Sequence, residues 1–272
     1  MDRGEGCVEE HAARPAPRWR PTSRLPVRPL LVACALALLS PGATNAEELK
    51  APVQQVDVQL ILAVDSSGSV TGDEFRLQMD GLAFAFRQPA VLQAVQNGRH
   101  HAIAVTLFEW SDADRQKQSI PWTVLSDDES LQAFADIIRA APRMVSGGYT
   151  SINAALAYAG SMFGKSGFVS DRRVIDVSGD GRDNTNGSPE AVRDKLVNSD
   201  IVINGLAILH DEADLKEYYE SAVIGGPGAF VVVASDFTDF ADAMLGKLVQ
   251  EIAGLPATRA IELAANAQSA RH

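Results

Sequence analysis

Cysteine is nearly absent from this chain, because only Cys7 and Cys34 occur among its 272 residues. Both lie within the first 46 residues, which we predict to be cleaved off. The remaining part then has no thiol for a disulfide, for thiolate metal binding or for thiol catalysis. Its stability must come from an ordinary hydrophobic core, and about 200 residues are enough to form one.

Long apolar runs are also lacking. The run at residues 30–39 is too short to cross a bilayer as a permanent helix, and no later segment is longer. An arginine-rich stretch precedes this run, and the small residues Thr44 and Ala46 follow it. This pattern is typical of a cleaved secretory signal. We therefore predict that residues 1–46 are a signal peptide and that the protein is exported, to the periplasm or the medium of a bacterium. A membrane anchor at this end is the alternative.

Positive charge is scarce, with 24 Lys and Arg against 35 Asp and Glu and a net charge of −11. Removal of residues 1–46 takes away six basic and four acidic side chains, so the net charge becomes −13. Such an acidic protein repels nucleic acids and anionic lipid surfaces. We therefore expect neither as a partner.

Strand-like and helix-like patterns alternate from Val56 onward. Strands are predicted at residues 56–64, 102–108, 119–125, 173–177, 201–209 and 230–233. Helices are predicted at residues 75–86, 127–138, 151–163, 189–198, 215–223 and 237–248. This order predicts an α/β fold with a doubly wound, mostly parallel sheet and helices on both faces. No helix separates the second and third strands, so we expect them to form an antiparallel hairpin at one edge. The prediction is one domain over residues 47–253, followed by a tail at residues 254–272.

Three loops of this predicted sheet carry oxygen-bearing side chains to one edge. The first loop, DSSGS, follows the first strand and contains Asp65, Ser67 and Ser69. The second loop brings Thr150 to the start of an Ala-rich helix, and the third places Asp180 directly after a strand. Ligands of such sheets bind at the carboxyl ends of the strands, where the strand order reverses. The sequence therefore predicts one site made of these five residues.

Two carboxylates and three hydroxyls, with no His or Cys, form a set of hard oxygen donors. Such a set suits Mg²⁺ or Mn²⁺ rather than Zn²⁺ or copper. With few anionic ligands in direct contact, the metal stays electrophilic and short of one ligand. We therefore expect a divalent-metal site.

These motifs resemble the metal-ion-dependent adhesion site (MIDAS) of the von Willebrand factor A (VWA) domain family. All five positions are present in the family's order: Asp65, Ser67, Ser69, Thr150 and Asp180. The resemblance covers nearly all of the chain after the predicted signal, and the chain also resembles a group of exported bacterial A-domain proteins, DUF1194. It implies that the serines and Thr150 contact the metal and that Asp65 and Asp180 act largely through water. It also implies that the Asp or Glu of a partner protein fills the vacant coordination position.

Each motif alone has a plainer interpretation. A serine in DSSGS can cap the next helix, Thr150 can cap the Ala-rich helix, and Asp180 can belong to a simple turn. The segment DGRDNTNG at residues 180–187 lacks the acidic spacing and closing Glu of a calcium loop, so we expect a loop beside the metal. His100 and His101 have no evident metal-binding partner in the sequence, so we interpret them as a surface turn.

Three functions are compatible with these residues. The first is a metal-dependent module that binds an acidic residue of a partner protein. The second is a structural subunit of an envelope complex whose metal is not essential. The third is a Mg²⁺-dependent phosphohydrolase, but the three loops hold no Lys, and we expect Arg182 to be the only cation near them. We therefore expect a binding protein and not an enzyme.

Overall fold

The structure is a computed structural model, and it describes residues 54–210 and 212–254. The described strands form one six-stranded sheet. They are β1 (Gln54–Asp65), β2 (Ile103–Trp110), β3 (Gln116–Leu125), β4 (Phe168–Gly179), β5 (Ile201–Ile208) and β6 (Val231–Ala234).

The helices of the described residues lie between these strands in the chain, except for the last, which follows β6. They are α1 (Gly72–Phe86), α2 (Pro89–Gln96), α3 (Asp128–Ala140), α4 (Ile152–Phe163), α5 (Pro189–Val197), α6 (Leu215–Tyr218) and α7 (Phe240–Ala253). A π-helical turn, Tyr219–Val223, continues α6. The predicted α/β fold class is thereby confirmed.

The strand order is β3-β2-β1-β4-β5-β6. Only β2 and β3 pair in an antiparallel way, and the other neighbouring strands are parallel. The predicted hairpin is therefore confirmed, and β3 lies at the edge. The chain moves from β1 to β2 on one side and later to β4 on the other side. The strand order thus reverses between β1 and β4, whose carboxyl ends carry Asp65 and Asp180.

The core lies on both faces of the sheet because side chains alternate along each buried strand. In β1, Leu60 and Leu62 pack with α1, α3 and α7, whereas Ile61 and Ala63 pack with α4 and the turn after α6. Both faces of β1 are apolar, which explains its continuous hydrophobic run.

Local sequence signals fix the helices next to the site. Thr71 and Glu74 form a capping box at the start of α1, so the helix begins directly after the DSSGS loop. Asp127 caps α3 by accepting a hydrogen bond from the backbone N–H of Ser130. Pro189 lies in the first turn of α5, where its missing N–H costs nothing.

Some element bounds differ from the prediction. β3 begins at Gln116, three residues earlier than expected, and it tolerates Pro121 because an edge strand leaves some N–H positions unpaired. β4 begins at Phe168 because it pairs with the early part of β1. α2 was not predicted, since its eight residues are too few to show a clear period. The predicted signal peptide and residues 255–272 of the predicted tail lie outside the described residues.

Candidate metal centre

The first loop of the site is held by its own polar groups. Asp65 is fully buried, and its Oδ1 accepts a hydrogen bond from the backbone N–H of Ser67 at 2.7 Å. Ser69 Oγ donates to Asp180 Oδ1 at 2.8 Å, and Ser67 Oγ lies 3.2 Å from Ser69 Oγ. Because Ser69 uses its proton on Asp180, Ser67 is the donor in that second contact. A chain of polar groups therefore links the end of β1 to the end of β4.

The second loop lies directly against the first. The backbone N–H of Gly68 donates to the carbonyl of Gly148 at 3.1 Å. A Cβ atom on Gly68 would lie 2.9 Å from that carbonyl oxygen, so only glycine allows this approach. Gly148 has a φ of 93°, a backbone conformation that residues other than glycine rarely adopt. These two glycines bring the segment before Thr150 to the DSSGS loop.

The third loop is tied to Thr150 through the backbone. The side-chain oxygen of Asn184 accepts a hydrogen bond from the backbone N–H of Thr150, and the backbone N–H of Asn184 donates one to the Thr150 carbonyl. Thr150 is buried, and its Oγ1 lies 4.0 Å from the position that a Cβ on Gly181 would occupy. The five predicted residues therefore lie on three loops that contact one another at one edge of the sheet.

Asp65 and Asp180 are two buried carboxyls whose negative charges repel each other. Burial, together with the charge of Asp180, raises the pKa of Asp65 from 3.8 to about 7, although the hydrogen bonds from Ser67 act in the opposite direction. Asp65 Oδ2 is buried and has no hydrogen-bond partner among the described residues. A buried acceptor without a partner is costly, so this site favours an added cation.

The donors fit a hard divalent cation. Carboxylate and hydroxyl oxygens are the ligands that Mg²⁺ and Mn²⁺ prefer. The site also has the unsatisfied carboxylate oxygen that such an ion would neutralise. The residues present therefore fit the metal that the sequence suggests.

Two arginines lie near the site, and both are engaged by the protein. Arg182 forms ion pairs with Glu212 at 2.9 Å and with Asp214 at 2.6 Å. Arg143 donates hydrogen bonds to the backbone of the DSSGS loop. The expectation that Arg182 is the only nearby cation was therefore wrong. Arg143 lies seven residues before Thr150, but its contact with the DSSGS loop depends on the fold and was not readable from the sequence.

Tyr219 lies beneath the site and was also missed by sequence reasoning. Its ring is fully buried at the start of the π-helical turn. Burial raises the pKa of Tyr219 well above its usual value, and the charges of Asp65 and Asp180 add to that effect. A Cβ on Gly179 would lie 2.8 Å from both the Tyr219 hydroxyl and Asp65 Oδ2. The sequence around Tyr219 contains no signal for this position.

A second group of side chains with metal-binding potential lies near the amino ends of β1 and β4, at the opposite end of the strands from the first site. Ligand atoms of Asp57, His100 and Asp171 lie within 4.8 Å of one another. Asp57 is eight residues before Asp65 along β1, which places it roughly 26 Å away at the rise of a strand. His100 faces Asp171 at 4.0 Å, and Asp57 accepts a hydrogen bond from the backbone N–H of His100. The expectation that no residue pairs with His100 was therefore wrong.

Solved structures share this fold at low sequence identity. Proximal thread matrix protein 1 from the mussel byssus has a TM-score of 0.54 and 16% identity, over 74% of this chain and 49% of that chain. A structure of the same byssus protein with a zinc-occupied MIDAS motif has a TM-score of 0.53 and 14% identity, over 74% and 49% of the two chains. A von Willebrand factor type A protein from Catenulispora acidiphila has a TM-score of 0.50 and 17% identity, over 73% and 43%. The chain thus spans about half the length of these proteins or less.

No curated protein matches the chain in sequence. Residues 55–256 match the family described as "Protein of unknown function (DUF1194)". This match includes all five predicted site residues and the described sheet from its second residue onward. The chain therefore belongs to the DUF1194 family, and its fold is that of a VWA domain.

Proposed function

We propose that Asp65, Ser67, Ser69, Thr150 and Asp180 bind one divalent cation, Mg²⁺ or Mn²⁺. The bound ion then takes an Asp or Glu carboxylate of a partner protein as its remaining ligand. The protein is, in this proposal, a metal-dependent binding module. Its metal site corresponds to the MIDAS of the VWA domain family.

One observation carries this proposal. Asp65 is fully buried beside the buried Asp180, and its Oδ2 has no hydrogen-bond partner among the described residues. Two acids in such a place require a proton or a cation, and the hydroxyls of Ser67 and Ser69 stand next to them. A mussel byssus protein of the same fold has a zinc-occupied MIDAS motif, which supports metal binding at this edge.

The surroundings favour binding over catalysis. Phosphoryl transfer requires cations aimed at the phosphate, in addition to the metal. Arg182 is paired with Glu212 and Asp214, and the hydrogen bonds of Arg143 go to loop oxygens. We therefore propose no catalytic role for the five residues.

We also propose that the protein acts after export. The support is the sequence pattern of residues 1–46, which lie outside the described residues. Among the described helices, none is long and apolar enough to cross a membrane. Fusion of residues 1–46 to a reporter that is active only outside the cytoplasm tests export, and an inactive reporter would contradict it.

Titration calorimetry of the purified protein with MgCl₂ and MnCl₂ tests metal binding. We expect saturable binding to one site in the wild type and none in Asp65→Ala or Asp180→Ala. His100→Ala is the matched control. It disrupts the group of Asp57, His100 and Asp171 at the other end of the strands, and it should leave the metal binding unchanged. Loss of binding in His100→Ala alone would move the metal to the Asp57 group, and no binding in the wild type would refute the proposal.

A displayed library of random peptides tests the carboxylate. We expect peptides selected on the Mg²⁺-loaded protein to contain Asp or Glu and to be released by EDTA. Replacement of the acidic residue by its amide, Asp→Asn or Glu→Gln, should abolish their binding. Binding that survives EDTA and the amide replacement would favour a structural role in which the metal is not essential.

A further inference from the structure

Arg143 joins two of the three loops of the candidate site. It lies after α3, in the segment that leads to Thr150. Its Nε donates to Ser66 Oγ at 2.8 Å and to the Val145 carbonyl at 2.9 Å. Ser66 Oγ in turn donates to the same Val145 carbonyl at 2.6 Å. These contacts fasten the residue before Ser67 to the segment before Thr150.

The other end of the guanidinium holds the backbone of the DSSGS loop. Nη2 of Arg143 donates to the carbonyls of Ser66 at 2.9 Å, Val70 at 3.0 Å and Ser67 at 3.4 Å. These carbonyls lie before, at and after the proposed serine ligands. The planar fork of an arginine can reach several such acceptors at once, which a lysine ammonium cannot reproduce.

Further contacts hold the arginine and the segment that carries it. Its guanidinium carbon lies 5.2 Å from the ring centre of Phe75 in α1. The buried Glu109 at the end of β2 accepts hydrogen bonds from the backbone N–H groups of Met144 and Val145, at 2.7 and 2.9 Å. The segment that carries Arg143 is therefore anchored to the sheet independently of the metal loops.

We propose that Arg143 is a positioning residue for the divalent-metal site. It sets the distance between the Ser67–Ser69 loop and the Thr150 loop, and so prearranges the hydroxyl ligands before the metal arrives. This inference rests on the proposed function. Ordered ligands lose less conformational freedom on binding, so the metal binds more tightly than it would to a loose loop.

Arg143 interacts electrostatically with Glu109 and Asp65, so its positive charge would repel a metal ion bound beside Asp65 and oppose the positioning effect. The two contributions have opposite signs and need separate variants. Arg143→Lys keeps the charge and removes the fork, so it isolates the positioning effect. Arg143→Gln removes both the fork and the positive charge. The difference in metal affinity between Arg143→Gln and Arg143→Lys therefore measures the repulsion, and Arg143→Gln should bind the metal more tightly of the two.

The matched control is Arg172→Lys. Arg172 also donates two hydrogen bonds to backbone carbonyls, those of Glu251 and Ile252 at the end of α7, but it lies at the other edge of the sheet. If the loss of an arginine fork lowers metal affinity only by destabilising the fold, Arg143→Lys and Arg172→Lys should both lose affinity. If Arg143 positions the metal ligands, only Arg143→Lys should lose it.

The experiment combines two measurements on each variant. Calorimetry with MnCl₂ should show a dissociation constant at least about tenfold higher for Arg143→Lys, and one within twofold of the wild type for Arg172→Lys. Hydrogen exchange in EDTA should show faster exchange at the Gly68 amide for Arg143→Lys only. Ser66→Ala removes a single contact of the fork, so it gives a smaller loss of affinity and serves if Arg143→Lys does not fold.

Two results would contradict the positioning role, and a third would contradict the proposed function on which it rests. Folded Arg143→Lys with unchanged Mn²⁺ affinity would overturn this inference and leave the proposed function intact. Equal losses of affinity in Arg143→Lys and Arg172→Lys would also overturn it, because the effect would then be one of general stability. No Mn²⁺ binding by the wild type would refute the proposed function itself.

Discussion

Two pairs of buried acids each include a residue of β4 or the residue directly after it, and in one of them a buried lysine lies between the acids. Asp176 and Glu251 share Lys247, whose Nζ lies 2.7 Å from Asp176 Oδ1 and 2.5 Å from Glu251 Oε1. Lys247 is fully buried, and Asn204 donates a further hydrogen bond to Glu251 at 2.9 Å. In the second pair, Asp65 accepts a hydrogen bond from the backbone N–H of Ser67, and Asp180 accepts one from the hydroxyl of Ser69.

This difference is the one expected between a structural cluster and the proposed metal site. In the first pair, the lysine is fixed by the fold, so it provides one positive charge between the two acids whenever the protein is folded. Both pairs contain a carboxyl with a raised pKa and buried oxygens without a hydrogen-bond partner among the described residues. What distinguishes the second pair is the neighbouring hydroxyls of Ser67 and Ser69, which could share a metal ion with its carboxylates. A site that must exchange its cation with solvent is expected to have this form.

The largest predicted effect comes from removing the internal cation. Lys247→Met should lower the free energy of unfolding by about 3–5 kcal/mol at neutral pH, because it leaves two buried acids without a positive partner. Lys216→Met is the control, since Lys216 makes an exposed ion pair with Glu220, and should cost about 0.5 kcal/mol or less. Urea unfolding measures both. Equal costs for the two variants would show that the buried cluster is not held by its lysine.

Gly68→Ala should cost about 1–3 kcal/mol and weaken metal binding, because the new Cβ would lie 2.9 Å from the Gly148 carbonyl and push the two loops apart. Gly72→Ala, four residues further on, has nothing within 4 Å of the new atom and begins α1. It should be neutral or stabilise by about 0.5 kcal/mol. Thermal unfolding and Mn²⁺ titration compare the two variants, and a Gly68→Ala protein that matches the Gly72→Ala protein in both would contradict the described loop contact.

The same substitution should have opposite signs in the two acid pairs. In metal-free protein at pH 8, Asp180→Asn relieves the repulsion with Asp65 and should stabilise the fold by about 1 kcal/mol. Asp176→Asn weakens the charge-assisted contact with Lys247 and should destabilise it by about 1–3 kcal/mol. Urea unfolding in EDTA decides this, and destabilisation by both variants would mean that the Asp65–Asp180 pair is already neutralised by the protein.

The pH dependence of stability should also separate the two pairs. The pKa of Asp65 is raised in the folded state, so its contribution is fully present below pH 3.8 and is lost as the pH rises through about 7. From pH 6 to pH 8 this carboxyl alone should lower the free energy of unfolding by about 1 kcal/mol. Burial and the charge of Asp176 raise the pKa of Glu251 to about 8, which adds a loss of the same sign.

Saturating Mg²⁺ should remove the part of this loss that comes from Asp65 and leave the part from Glu251. Urea unfolding at pH 6 and pH 8, in EDTA and in Mg²⁺, measures the difference. Asp65→Asn is the control, because without the titrating carboxyl the two slopes should be alike. Equal slopes with and without Mg²⁺ in the wild type would place the metal away from Asp65.

Much of the fold was predictable because its signals are local. The continuous apolar run of β1, the capping box at Thr71 and the missing helix between β2 and β3 each specify one element. The five site residues could be named because three loops follow or precede such elements at the same edge. Whether they bind a metal stays a prediction.

The remaining parts depend on contacts between distant segments, which sequence spacing does not show. Arg143, Glu109 and Tyr219 approach the site from a loop, a strand end and a π-helical turn. Asn184 was part of a loop expected beside the metal, but its pairing with Thr150 required the folded backbone. The group of Asp57, His100 and Asp171 was likewise assembled only by the sheet register.

A crystal of the Mn²⁺-loaded protein, measured at the manganese absorption edge, tests the central claim most directly. The account predicts one anomalous peak within bonding distance of the Ser67, Ser69 and Thr150 hydroxyls, beside Asp65 and Asp180. The peak should vanish in Asp180→Ala crystals grown under the same conditions. A peak at Asp57, His100 and Asp171 instead, or no peak at either edge of the sheet, would contradict it.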